Sequence, residues 1–182
     1  MIKLLDLLKE IGDASVETYD YRLDESHVER DEDTGEIIEQ NFHALYGSDY
    51  MQDTGDIYDS QIYVGIERLS DGEIDMEISF GTLEGGQTIT DRGVKEAMKV
   101  MATVVAVVKE VMKKMQRPDQ WGRKPDYISF SPARTGKTDS NLNPKFAIQR
   151  QKLYTAFINK HLKPKRIDTV NIGPNTSVSV TL

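Results

Sequence analysis

The stretch from Gly93 to Met115, GVKEAMKVMATVVAVVKEVMKKM, constrains the fold more than any other part of the chain. Val94, Met98, Met101, Val105, Val108, Met112 and Met115 recur at alternating steps of four and three, which aligns them on one helical face. Val100, Val104, Val107 and Val111 form a second stripe on another side, and no charge interrupts the chain between Lys99 and Lys109. A helix apolar on two sides has to be covered on more than one side. Its β-branched run, Val104, Val105, Val107 and Val108, has mediocre helix propensity, so packing against a sheet has to override local preference. A strand over 104–108 alone is the competing assignment; the length of the pattern and the flanking Lys and Glu residues favour a helix.

The segments on either side supply that sheet. Residues 61–69, QIYVGIERL, put Ile62, Val64 and Ile66 on one face, and residues 73–83 do the same with Ile74, Met76, Ile78 and Phe80. Ser70-Asp71-Gly72 between them predicts a tight hairpin. The opposite face of this hairpin is mostly acidic, with Glu67, Asp75 and Glu77. Upstream, Tyr19, Tyr21 and Leu23 alternate with Thr18, Asp20 and Arg22 as in a strand, and Val28 marks the start of another. DEDTGE, Asp31 to Glu36, then predicts a second hairpin turn. Beyond the long helix lie a basic loop, Arg117 to Pro125, containing the only tryptophan, and a short buried strand, Tyr127 to Ser131. A helix opening at Pro144 and running to about His161 comes next, then two strands, RIDTVNI and TSVSVTL, around the turn Gly173-Pro174-Asn175. Residues 2–12 form a short amphipathic helix closed by Gly12.

At 182 residues without cysteine, the chain suits one domain that buries a core without disulfides, and thiol catalysis and cysteine metal sites are excluded. The nine uncharged residues at the centre of the long helix fall far below the roughly 20 that a membrane span needs. Asp6, Lys9 and Glu10 interrupt the N-terminal apolar stripe, so it does not read as a signal peptide, and a host cytoplasm or a virion is the expected location. Charge is strongly polarised. Residues 1–90 hold 5 Lys/Arg against 23 Asp/Glu, a net of −18, whereas residues 91–182 carry +11. Either the acidic half packs near the basic half, or each is simply a solvated face, or one face meets a charged protein partner. Nucleic-acid binding by the basic half lacks aromatic interleaving beyond Trp121 and Tyr127, and mimicry of nucleic acid by the acidic half is offset by the +11 elsewhere.

Few motifs carry chemistry. His27, His43 and His161 are too far apart in sequence to supply zinc-ligand spacing. Asp31-x-Asp33-x-Gly35 resembles the opening of a calcium loop but lacks the later acidic ligand and the flanking helices, and Asp49, Asp53, Asp56 and Asp59 form a second acidic loop that a metal or a basic partner could use and that reads first as a solvated turn. Ser131 to Thr138, SPARTGKT, ends like a phosphate-binding loop, yet Ser131 stands where the first glycine belongs and no helix signal follows the lysine. A basic loop is the better reading.

The order of elements, with antiparallel strands, a long helix entered through a glycine-containing loop, a strand, a helix bearing Leu153-Tyr154 and a closing hairpin, resembles the GNAT superfamily of N-acetyltransferases over roughly residues 40–182. The resemblance implies an α+β fold, a mixed and mostly antiparallel sheet packed around a long central helix. It divides the single domain into an acidic helix and hairpin extension, 1–60, and a GNAT-like core, 61–182. It further implies that acetyl-CoA is held by its pyrophosphate at the start of the long helix by Arg92 and Gly93: Arg92 and Ala97 fit the two ends of the family's Arg/Gln-x-x-Gly-x-Gly/Ala loop, Gly93 is a common residue after the Arg, and Lys95 stands where the central glycine belongs, with Glu96 beside it. The strands flanking that helix N-terminus are expected to part and leave a cleft. Leu153 and Tyr154 match the end of the later motif, so Tyr154 is the expected general acid that protonates the departing thiolate, with a packed helical tyrosine as the plain alternative.

The segments Val100 to Val105, Phe130-Ser131 and Arg150 to Tyr154 are together similar to small proteins of tailed bacteriophages. Two function classes follow from the resemblances. One is an acetyl-CoA-dependent N-acyltransferase acting on an amine, with Tyr154 as acid and a carboxylate of the acidic half as base. The other is a non-catalytic virion component or host-factor-binding protein that uses the scaffold and its charged faces for contacts.

Overall fold

The computed structural model describes residues 17–47, 60–83, 94–132, 155, 159–160, 164–172 and 175–182. Within them lie seven strands and a long helix: β1 Tyr21–Arg30, β2 Ile37–Tyr46, β3 Ser60–Arg68, β4 Ile74–Thr82, α1 Val94–Met115, β5 Tyr127–Pro132, β6 Arg166–Ile172 and β7 Asn175–Thr181. Thr155, Asn159 and Lys160 have helical backbone, inside the span predicted as a helix from Pro144. The rest of that span, the helix expected over 2–12, the acidic loop 49–59 and residues 133–138 of the SPARTGKT segment lie outside the described residues.

The fold is α+β. All seven strands join one sheet in the order β1-β2-β3-β4-β5-β7-β6, so the N-terminal hairpin is continuous with the core, β2 pairing directly with β3. Each neighbouring pair is antiparallel except β4 and β5, which run parallel because α1 carries the chain back along the sheet between them. The hairpin expected at Ser70 to Gly72 forms, with Leu69 N donating to Glu73 O at 2.8 Å and Gly72 at a φ of 85°, a value that favours glycine.

Period-two alternation decides which side chains meet the helix. Register aligns Gln40, Ile66, Met76, Ile128 and Val180 in one row across β2, β3, β4, β5 and β7, and Phe42, Val64, Ile78 and Phe130 in the next. All of these are buried. On α1, both stripes read from the sequence are buried where they are described, apart from the half-buried Met112: Met98, Met101, Val105, Val108 and Met115 on one, Val100, Val104, Val107 and Val111 on the other. Burying each such side chain is worth about 1.5–3 kcal/mol, against a helix-propensity penalty of at most about 0.7 kcal/mol for a valine, so packing wins.

β1 departs from the sequence reading at Val28, which does not start a new strand. A register shift between Glu25 and His27 inserts one extra residue, and the strand continues to Arg30. The shift exchanges the two faces: Arg22 and Asp24 point away from α1 before it, His27 and Glu29 after it. In the turn that follows, Asp31 Oδ1 accepts from the backbone of Thr34 at 2.8 Å and of Asp33 at 3.1 Å and from Thr34 Oγ1 at 2.9 Å. The Thr34 amide is the main cause that holds the Asp31 carboxyl below its ordinary range, and the carboxylate is spent on closing the turn.

The basic loop after α1 folds inward. Trp121 is buried against the β1–β3 end of the sheet, its indole donating to Gln40 Oε1 at 2.7 Å, while Gln40 Nε2 donates to Gln120 Oε1 at 2.7 Å and Glu25 Oε2 at 3.1 Å. The Arg68 guanidinium lies 5.6 Å from the Trp121 ring centroid and 3.3 Å from the Glu36 carboxylate. At the other end, Thr103, fully buried on α1, accepts from Tyr19 N at 2.9 Å, and Tyr19 stacks on Tyr46 at 5.4 Å.

Candidate functional site

Two regions have the makings of a site. The first is the edge of the sheet where the parallel strands end. β4 finishes at Thr82 and β5 at Pro132, and because they are parallel both carboxyl ends lie at the same edge, from which the chain enters α1 at Val94. A helix N-terminus offers unpaired amides and the positive end of its dipole, the ordinary physical basis for holding a phosphate. The strands stay paired from Asp75↔Tyr127 through Phe80↔Pro132, so the expected parting does not occur along β5, and any cleft begins beyond that pair. Arg92, Gly93 and Tyr154 all lie outside the described residues, as do the side chains of Lys95, Glu96 and Ala97.

The second region is the sheet face turned away from α1. Register there sets Glu29 opposite Glu39, Glu39 opposite Glu67, and Glu67 opposite Asp75, so four carboxylates form one line across β1, β2, β3 and β4. The adjoining line holds His27, Asn41, Gly65, Glu77 and Ser129. Tyr63 extends along β3 over Gly65: a Cβ at Gly65 would meet Tyr63 Oη at 3.0 Å and Asn41 Oδ1 at 3.3 Å. The gap left by glycine therefore seats the phenol. Tyr63 Oη donates to Asn41 Oδ1 at 2.8 Å, and Asn41 Nδ2 donates to Glu39 Oε1 at 2.9 Å. His43 meets the Tyr63 ring edge-on at 5.2 Å.

Burial and neighbouring charge on this face favour the uncharged form of two groups, Tyr63 and Asp75. Burial pushes the Tyr63 hydroxyl above its ordinary value, and Glu39, Glu77 and Glu67 push it further. Burial likewise raises the Asp75 carboxyl, and Glu77 adds to it, against the opposing hydrogen bond from Ser129 Oγ at 3.3 Å. Among the described residues no Lys or Arg forms an ion pair with Glu39, Glu67, Asp75 or Glu77. One metal-capable set is present among those residues: ligand atoms of His27, Glu29 and Glu39 all lie within 4.8 Å of one another. Histidine spacing in sequence could not reveal it, because Glu39 comes from the neighbouring strand and the β1 register shift turns His27 to this face.

No family model, curated protein or solved structure matches the chain.

The acidic side of the β3–β4 hairpin was legible as Glu67, Asp75 and Glu77. Glu29, Glu39, Asn41 and Tyr63 were not, because their membership depends on which strands pair. In the described residues no helix is long and apolar enough to cross a membrane.

Proposed function

We propose that this is a phage-type protein built on a GNAT-like scaffold, acting as an N-acyltransferase that takes acetyl-CoA at the start of α1. The observation that supports this reading is the strand order β1-β2-β3-β4-β5-β7-β6, in which β4 and β5 are the sole parallel neighbours and α1 is the link between them. An open sheet binds ligands beyond the carboxyl ends of its parallel strands, where a helix N-terminus stands ready for an anion. In this reading Arg92 and Gly93 hold the pyrophosphate. The acceptor amine attacks the thioester carbonyl, its proton passes to a carboxylate of the acidic half, the C–S bond breaks, and Tyr154 protonates the leaving thiolate.

Calorimetric titration of the full chain with acetyl-CoA tests this reading. Binding that Arg92→Glu abolishes supports it; no heat of binding at millimolar ligand removes it. The second reading, a non-catalytic virion component or host-factor binder, draws its support from the unbroken β4–β5 pairing and from the line of carboxylates on the outer face.

A further inference from the structure

We infer that the sheet face opposite α1 is a docking surface for a lysine- and arginine-rich polypeptide segment that crosses β1–β4 in extended form. The inference is independent of acyl transfer. Asp75 and its row lie at the start of β4, whereas the carboxyl ends that feed α1 lie at the opposite edge.

Three observations on this face converge on a cation. Like charges set directly opposite one another destabilise a sheet, and here three successive strand pairs make that opposition, Glu29↔Glu39, Glu39↔Glu67 and Glu67↔Asp75. Among the described residues no Lys or Arg forms an ion pair with any of them, and Glu29 meets only the His27 imidazole, at 3.9 Å. A partner carrying positive charge removes this repulsion, so binding draws on an unfavourable feature already present in the fold. Beside the carboxylates stands an aromatic pair: Tyr63, seated over Gly65, with His43 against its edge. A phenol ring flanked by carboxylates suits an ammonium or guanidinium group, through attraction to the π face and ion pairing together.

The dimensions favour a polypeptide over a single ion. Strands in a sheet lie about 4.8 Å apart, so the line from Glu29 to Asp75 spans roughly 14 Å. An extended chain covers that length in about four residues. Burial along the line is uneven, with Glu29 and Glu67 exposed and Glu39 and Asp75 half-buried, so long flexible side chains reach the carboxylates better than a rigid ligand would.

The test uses the full chain and a fluorescein-labelled hexalysine peptide, with binding read by anisotropy at two salt concentrations. The structure leads us to expect binding that weakens with salt and falls about tenfold in the Glu39→Gln/Glu67→Gln double variant. Glu32→Gln/Asp33→Asn, which removes the same charge from the exposed turn between β1 and β2, should leave affinity within about twofold. Tyr63→Leu should weaken binding by about threefold without altering net charge. Retained affinity in the outer-face double variant, an equal loss in both double variants, or no binding to wild type overturns the inference, the last also covering a face already occupied by the chain's own basic residues. Because acetyl-CoA titration probes the other edge of the sheet, either result can fail while the other stands.

Discussion

Trp121 Nε1 donates a 2.7 Å hydrogen bond to Oε1 of Gln40, a residue 81 positions earlier, and the whole interaction is buried. This bond fastens the turn after α1 to β2 and closes one end of the core. The carboxamide is fully used, since its nitrogen donates to Gln120 and Glu25. Substituting Trp121→Phe keeps an aromatic ring but leaves Gln40 Oε1 buried without its donor. We expect a loss of about 1–3 kcal/mol in unfolding free energy, measured by urea denaturation. The combined Trp121→Phe/Gln40→Leu variant should recover part of that loss, because the buried Oε1 is then gone and the two acceptors that lose the Gln40 donor, Gln120 and Glu25, are half-buried and exposed.

Thr103 makes a comparable tie on the other side of α1. Its hydroxyl donates to Lys99 O at 2.8 Å and accepts from Tyr19 N at 2.9 Å, so it fixes where the chain enters β1. Thr103→Val conserves shape and removes the acceptor. A destabilisation of about 1–3 kcal/mol is expected, and Thr103→Ser should restore most of it. Equal stability of the Val and Ser variants in thermal unfolding would show that the hydroxyl does not hold this segment.

Asp75 gives a pH signature of known sign. Its carboxyl titrates above the ordinary value in the folded chain, chiefly through burial, so the folded state holds that proton more tightly than the unfolded state does. The resulting stabilisation is complete below the unfolded value near 3.8 and is lost as pH rises through the raised folded value. Asp75→Asn keeps a neutral acceptor for Ser129 at every pH. Its unfolding temperature should match wild type near pH 3 and exceed it at pH 7, and a wild type more stable than the variant at pH 7 would contradict this account.

Tyr21 supplies an alkaline counterpart. Its hydroxyl donates to Glu110 Oε2 at 2.9 Å, and burial followed by the Glu110 hydrogen bond and charge pushes its pKa up to about 12. The folded state again holds the proton more tightly, so the stabilising contribution is present below pH 10 and disappears as pH rises through about 12. Ultraviolet titration of Tyr21→Phe should therefore lose one tyrosinate from the late, high-pH part of the curve and none from the part near pH 10. Loss of an ordinary tyrosinate would mean that the Glu110 contact does not form in solution.

Gly65 is where sequence and surface meet most closely. A methyl there would press on Tyr63 Oη at 3.0 Å and Cε1 at 3.1 Å. We expect Gly65→Ala to displace the phenol from Asn41 at a modest stability cost of about 1 kcal/mol, and Gly65→Val to cost more. Chemical shifts of the Asn41 side-chain amide would report the displacement, and unchanged shifts in both variants would refute it.

Much of the local structure was readable residue by residue. The α1 stripes, the turn at Ser70 to Gly72 and the strand at Tyr127 to Ser131 follow from spacing and turn chemistry, which act over a few residues. β1 was misread at Val28 because a one-residue bulge looks in sequence like a break in alternation. Trp121 was read within a basic loop, since its neighbours are polar and its partner, Gln40, lies on a distant strand. Of the expected acyl-transfer site, Arg92, Gly93 and Tyr154 lie outside the described residues, so that site rests on sheet topology and on the resemblance.

Residue spacing alone makes α1 a helix covered on two sides and makes its sheet alternate apolar and acidic residues. Those properties depend on period, and period is local. Strand pairing and long-range packing set β4 and β5 side by side and parallel, bring Trp121 to Gln40, and stand Glu29, Glu39, Glu67 and Asp75 in one line. Alternation tells which face a residue takes but not which residue stands beside it. That neighbour is fixed by strand order and register, and a single bulge in β1 is enough to change it.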